Sequence, residues 1–387
     1  MSFTLKAAKG DDFINRKEII NEIVTTISGN SRIGFALYGS RRVGKTSIFK
    51  EVQRKLKSNE DIVVIYFSVW EVMPKTITNF VRYFSDTVLE AYRYKIPIKR
   101  RVVELVKYPV EVIRDYLRDV KISAKVMDEI EFLLTFDDKK EKNYGDLIRR
   151  AFDLPEKLAA ETNTKCVILM DEFPSIVDLK NESKIGQDVI GVIRTLYEDQ
   201  KNTVLCVSGS IRKTMEISVL SSISPFYRQF IVREIKPLSK DNVDELLKKN
   251  CRKEIDEKAL EKIFEFTKGI PFYVQLLGKR IDAVECNKIT CQEIKQVIAD
   301  TLEEEGAILF NSEFFNLSAR EQKIIIAMST KNLHSPGDIA KETKEETSTI
   351  STYLIYLQEK GFITKRRKGI YSIDDLVFEK WIAWKYG

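Results

Sequence analysis

The chain is poor in the side chains that carry metal, disulfide and acyl-transfer chemistry. Among its 387 residues there are five cysteines and a single histidine, His334. An odd number of thiols with no C-x-x-C pair argues against a disulfide framework or a structural zinc site, so all five are expected to be reduced. His334 lies beside a predicted helix start, with no serine or cysteine nucleophile motif to serve, and reads as a loop residue. No run of about 18 apolar residues occurs, which excludes a membrane-spanning helix. Met1–Lys6 lacks the apolar stretch of a signal peptide, so a cytoplasmic location is expected. Internal repeats and low-complexity tracts are missing too. The net charge of +6 permits nucleic-acid binding without demanding it.

At this length two or three domains are expected. Ile33–Tyr38 is a short apolar run ending in a glycine-rich turn, and Thr46–Lys57 follows with helical spacing (Ile48, Val52, Leu56). Ile62–Trp70 is a second, β-branched run. Cys166–Met170 and Thr203–Val207 read as central buried strands. Strands alternating with helices predict a parallel sheet covered on both faces, an α/β three-layer core over residues 1–236. Within it, residues 72–140 form a helical elaboration. Phe80, Phe84, Val88 and Tyr92 recur as one helix face, Pro97 and Pro109 punctuate the segment, and Val120–Phe136 fits either a hairpin or a helix. Beyond Pro237 the pattern is wholly helical to about Glu305, predicting a helical lid domain over 237–310.

The chemistry concentrates at two places. Gly39-Ser40-Arg41-Arg42-Val43-Gly44-Lys45-Thr46 fits G-x-x-x-x-G-K-[ST] between a predicted strand and a predicted helix. In such a loop backbone N–H groups curl around phosphate oxygens and the lysine neutralises the β and γ phosphates. The threonine hydroxyl binds Mg²⁺, and the helix N-terminus faces the anion. Residues Gly39–Ser47 are therefore candidate contacts for ATP or ADP. The apolar run through Met170 ends in Asp171-Glu172, the form of a Walker B strand. Asp171 would hold Mg²⁺ through water and Glu172 would act as general base. Ser208 and Ser210, at the end of the next strand, are candidates to sense the γ-phosphate, against an ordinary strand-to-loop turn. Arg228 and Arg233 are candidate arginine fingers. Gly269-Ile270-Pro271 begins an apolar helix, with Pro271 suited to a first turn.

The last stretch, 311–387, has a different pattern. Ser318-x-x-Glu321 is a capping box, Ser335-Pro336-x-Asp338 opens a second helix, and Thr343-x-x-Glu346 opens a third that Gly361 stops. Two strands follow, Phe362–Lys365 and Ile370–Ile373, joined by Arg366-Arg367-Lys368-Gly369. Three capped helices and a basic hairpin predict a winged helix-turn-helix. Its third helix displays Ser348, Thr349, Ser351, Thr352 and Gln358, a poor electrostatic anchor. The wing cations Lys365, Arg366, Arg367 and Lys368 are better placed to clamp a DNA backbone. DNA binding and protein interaction both remain open for this module.

Together these motifs resemble the archaeal ATPase family, in the AAA+/STAND division of P-loop NTPases, with a layout similar to archaeal origin-recognition initiators. The resemblance covers nearly the whole chain except 72–140. Phe13-Ile14-Asn15-Arg16-Lys17-Glu18-Ile19 matches the family's F-x-G-R-x-x-E-L-like motif with Asn15 in place of glycine, which implies that Phe13 and Arg16 line the adenine side. Ser224-Pro225-Phe226-Tyr227-Arg228-Gln229 corresponds to S-P-L-Y-G-R with the arginine displaced by one position. Tyr371-x-Ile373-Asp374-Asp375-x-x-Phe378-x-x-Trp381 resembles the family's ending. The resemblance implies an ATP-driven switch, with a protein partner or oligomer compatible with it. Its rivals are a slow nucleotide sensor and a DNA-binding regulator with secondary ATPase activity. A small-molecule kinase is disfavoured because no acceptor-binding lid motif is present.

Overall fold

The structure is a computed structural model. It describes residues 3–96, 123–136, 143–181, 183–184, 186–210, 226 and 229–387. Five strands form one parallel sheet: β1 (Gly34–Tyr38), β2 (Ile62–Ser68), β3 (Lys165–Asp171), β4 (Thr203–Gly209) and β5 (Phe230–Glu234), in the order β5-β1-β4-β3-β2. The β-branched and apolar runs of β1 to β4 are buried on both faces, as parallel strands require, whereas the edge strand β5 is largely exposed beyond Phe230. Helices α1 (Lys17–Ser28) and α2 (Lys45–Leu56) cover one face, against Leu37, Val64, Leu169 and Cys206. The opposite face is covered by α3 (Ile77–Tyr92), α4 (Ala124–Thr135), α5 (Tyr144–Thr162) and α6 (Gly186–Asp199). The sandwich is the predicted three-layer α/β fold.

Phe80, Phe84, Val88 and Tyr92 all lie buried on one face of α3, and Phe84 stacks on Phe152 of α5 with centroids 4.6 Å apart. The ambiguous segment is helical where it is described, over α4. Pro97 and Pro109 fall outside the described residues.

Residues after β5 form α7 (Lys240–Asn250), α8 (Glu257–Thr267), α9 (Pro271–Ala283), α10 (Cys291–Glu304) and α11 (Gly306–Phe315). This stretch is not wholly helical, because Glu254–Ile255 and Lys288–Ile289 pair as two short parallel strands. Then come α12 (Ala319–Lys331), α13 (Pro336–Thr343), α14 (Thr347–Glu359), the hairpin β6 (Ile363–Arg367) and β7 (Ile370–Ile373), and α15 (Leu376–Tyr386). One apolar cluster runs through α7 to α15 and fully buries Trp381. The Ser318–Glu321 capping box is formed in both directions, and Ser335 caps α13. The Thr343 box is not. Thr343 closes α13, its hydroxyl donating back to the Ile339 carbonyl, and α14 starts at Thr347 with Glu346 at its N-cap and no side-chain cap. In the hairpin, β6 runs past its expected end to Arg367 through an irregular register, so the turn narrows to Lys368-Gly369. His334 joins α12 to this hairpin: its carbonyl accepts from the Tyr371 N–H, and its Nδ1 lies 3.0 Å from the Tyr371 carbonyl.

Candidate functional site

The C-terminal ends of β1, β3 and β4 lie in register, with Tyr38 beside Gly209 and Met170 beside Val207. The loop after β1, the Asp171-Glu172 pair and the Ser208–Ser210 end of β4 therefore meet at one sheet edge. In open parallel sheets that edge is where ligands bind. Gly39 is needed there for close approach, since a Cβ would lie 2.3 Å from the Ile235 carbonyl oxygen. Gly44 takes φ +102° at the N-terminus of α2 and faces open space. Val43 contributes backbone only, its side chain being fully buried beneath the loop.

Lys45 lies folded over its own loop, donating to the Gly39 and Ser40 carbonyls at 2.9 and 3.0 Å. Burial lowers its pKa, and Glu172 and Asp171 offset that in part. The Thr46 hydroxyl donates to Asp171 Oδ2 at 2.5 Å. Asp171 Oδ2 also accepts from the Tyr66 hydroxyl at 2.9 Å. The Ser208 hydroxyl donates to Asp171 Oδ1. Glu172 follows in a left-handed conformation, φ +52°, an uncommon backbone for a non-glycine residue. Its carboxylate accepts from the Ser210 hydroxyl and from the Ser210 N–H at 3.3 Å. Burial raises the Glu172 pKa, with Lys45 and Ser210 pulling the other way.

Lys45, Thr46, Glu172 and Ser210 open onto a cleft of about 400 Å³, with Asp171 buried behind Thr46. It is lined by Arg41, Arg42, Gly44, Lys45, Thr46, Ser47, Glu172, Ser210 and, from across the gap, Pro271, Phe272 and Gln275 of α9. The donor set suits magnesium: the Thr46 hydroxyl can donate to Asp171 while its own oxygen lone pairs remain available, and a hydroxyl oxygen is a ligand this hard cation takes.

Several expected residues are placed differently. Ser208 is fully buried against Asp171, so only Ser210 of the two serines reaches the cleft. Phe13 and Arg16 do not line it. Phe13 is buried in the cluster with Ile20, Val43 and Ile48, and Arg16 donates to the Lys236 carbonyl at 2.6 Å. The wall on that side is instead Thr4–Ala8, which runs from α9 to α2: the Thr4 N–H donates to Gln275 and the Ala8 N–H to Ser47. Arg233 is exposed on β5 and paired with Glu22, away from the cleft. Arg228 lies outside the described residues. Arg41 and Arg42, read as loop backbone, carry an unexpected network. Arg41 pairs with Glu313 of α11, and Arg42 forks to Glu313 and to Asp375 at the start of α15, each at 3.0 Å. Tyr66, Thr4–Ala8 and Glu313 were not anticipated; the one signal for Tyr66 was a hydroxyl-bearing ring in an otherwise apolar strand.

Residues 13–277 match the family of ATPase domains found predominantly in Archaea. The chain belongs to this family. An uncharacterised protein of Methanocaldococcus jannaschii is 26% identical to it over 374 residues, 94% of this chain and 66% of that one. The chain spans about half to two thirds of the length of the first curated relatives it matches. The fold is shared with a Walker-type ATPase of Pyrococcus abyssi, at a TM-score of 0.67 and 18% identity over 99% of both chains. It is also shared with the Aeropyrum pernix ORC1 protein, solved in complex with DNA, at 0.52 and 12% over 98% of this chain and 94% of that one. The archaeal ATPase domain thus accounts for the sheet, the loop after β1 and the cleft against α9. No helix among the described residues is long and apolar enough to cross a membrane.

Proposed function

We propose that the chain is a magnesium-dependent ATPase whose nucleotide cycle moves the α9 side of the cleft and, through it, the C-terminal module. The observation that carries this reading is the convergence of Lys45, Thr46, Glu172 and Ser210 on one cleft at the sheet edge, with Asp171 hydrogen-bonded directly behind Thr46. Magnesium-bound ATP supplies the phosphoanhydride bond that is cleaved. The chain supplies the rest. The N–H groups of Gly39–Ser47 and the Lys45 ammonium hold and neutralise the phosphates. The Thr46 hydroxyl would hold the cation, and Asp171 holds that hydroxyl in place. Glu172, turned into the cleft by its left-handed backbone and oriented by Ser210, takes a proton from the attacking water. Pro271 and Phe272 close the other side.

Three units follow from this reading: an ATPase core over 1–236, a lid over 237–310 and a winged helix over 311–387. All four wing cations are exposed. Arg366 is tied to Ser372, and Lys365 lies over the Tyr371 ring. Arg367 and Lys368 have no side-chain partner among the described residues, which leaves them for phosphate. DNA is therefore the partner we assign, bound by backbone contacts in the cytoplasm. One observation favours a protein partner instead: α14 carries no lysine or arginine and exposes Ile355 and Tyr356.

The nucleotide assignment is tested by Lys45→Ala. Measured with a fluorescent ATP analogue, affinity is expected to fall strongly while the circular dichroism of the folded protein is retained. Unchanged affinity in the folded variant would remove the loop from the account.

A further inference from the structure

We infer that Tyr66 is a positioning residue that decides which divalent cation the site accepts, by closing Asp171 to direct ligation. The inference rests on reading Asp171 as the carboxylate of the cation site. Ser68 pairs with Asp171 in the β2–β3 ladder, and Tyr66 stands two residues before it. Side chains alternate along a strand, so Tyr66 and Asp171 emerge on the same face, and the phenol is long enough to reach the carboxylate. Lys50, one turn beyond Thr46 on α2, lies with its Nζ 5.3 Å from the Tyr66 ring centroid and holds the ring in place.

Asp171 is 2% exposed, and its two oxygens accept four hydrogen bonds. Oδ2 takes the hydroxyls of Thr46 and Tyr66, and Oδ1 takes the Ser208 hydroxyl and the Glu172 N–H. An ionised carboxylate offers about four acceptor directions, so the shell is full. A carboxylate in this state cannot bind a cation directly. It acts through the Thr46 hydroxyl, which donates to Oδ2 while its own oxygen lone pairs face the cation. Magnesium suits this, being small, octahedral and slow to give up its waters. Calcium is larger and takes carboxylate oxygens directly. Thr46, Ser208 and the Glu172 N–H come with the loop and strand ends that build any such site. The Tyr66 hydroxyl is the additional donor, and without it one lone pair on Oδ2 is free for a larger cation.

The test is Tyr66→Phe, which removes only the hydroxyl. The affinity for a non-hydrolysable fluorescent ATP analogue is titrated separately with Mg²⁺ and with Ca²⁺, and once in chelator. The expected result is a shift of the Mg²⁺:Ca²⁺ preference toward calcium by about tenfold, the scale of outer-shell effects on metal sites. The chelator affinity stays at the wild-type value. Tyr83→Phe, which removes a hydroxyl bonded to Glu71 instead, leaves the preference unchanged. An unchanged preference in Tyr66→Phe overturns the inference. So does a loss of affinity in chelator, which marks Tyr66 as merely structural. Asp171→Asn separates this failure from that of the site reading. If Asp171→Asn leaves both metal titrations unmoved, the cation site itself is misplaced. If it moves them and Tyr66→Phe does not, Tyr66 alone is misassigned.

Discussion

Asp375→Asn isolates the contact between the loop after β1 and the C-terminal helices. Asp375 has two duties. Its Oδ1 caps α15, accepting from the Val377 and Phe378 N–H groups at 3.0 and 3.1 Å. Its Oδ2 accepts from Arg42 at 3.0 Å and from the Tyr273 hydroxyl. Asparagine caps helices as well as aspartate does, so the first duty survives. The second does not, because the amide turns N–H groups toward the guanidinium. Burial works against the Arg42 charge, and Tyr273, Asp375 and Glu313 outweigh it, holding the guanidinium above its ordinary pKa. The side chains of Arg42 and Asp375 are 18% and 20% exposed. That places the pair between an exposed ion pair, at about 0–1 kcal/mol, and a buried one, at about 3–5 kcal/mol. Glu313 still holds the other arm of the fork, so the expected coupling is about 2 kcal/mol, one charge-assisted hydrogen bond. The assay is a double-mutant cycle with Arg42→Ala in guanidinium chloride, read by tryptophan fluorescence, to which Trp381 and Trp384 of α15 contribute. The strain at Arg42, φ +64°, is common to both arms of the cycle and cancels. Coupling below about 0.5 kcal/mol, the range of independent sites, refutes the contact as an energetic link.

Two further predictions concern pH and the wing. As the proposed general base, Glu172 would work only when ionised, and burial raises its pKa above the ordinary 4.5. The acid limb of ATP turnover is therefore expected above that value and to vanish in Glu172→Gln. The same shift sets the sign for stability: the contribution of Glu172 is full below its unfolded pKa and lost as pH rises through the folded one, visible as a wild-type minus Glu172→Gln difference in melting temperature. Neutralising Lys365, Arg366, Arg367 and Lys368 should weaken DNA binding and reduce its salt slope by about 0.9 per lost phosphate contact, read by fluorescence anisotropy at several salt concentrations. Turnover without DNA should be unaffected, and identical binding by both proteins would favour the protein-partner reading.

What was legible in the sequence was local or periodic. The glycine spacing of residues 39–46 announces its own loop, and the apolar runs ending at Tyr38, Met170 and Val207 announce buried parallel strands. The same strand ends predict the Asp171–Ser210 half of the site, because parallel register brings them to one edge. What was not legible depends on distant residues. Glu313 and Asp375 lie far along the chain from Arg42, and nothing near them marks the pairing. Thr4–Ala8 has no periodicity to show that it walls the cleft, so the motif at Phe13 and Arg16 drew the assignment instead. Thr343 shows the reverse error: a correct local pattern is overridden when its hydroxyl finds the Ile339 carbonyl of the preceding helix.

The most direct test of the account is single-turnover hydrolysis of radiolabelled ATP by wild type and Glu172→Gln, with Mg²⁺–ATP affinity measured on the same preparations. The account predicts equal affinity and a hydrolysis rate lower by about 10²-fold or more in the variant, the loss expected for a general base. Equal rates in the two proteins would contradict it.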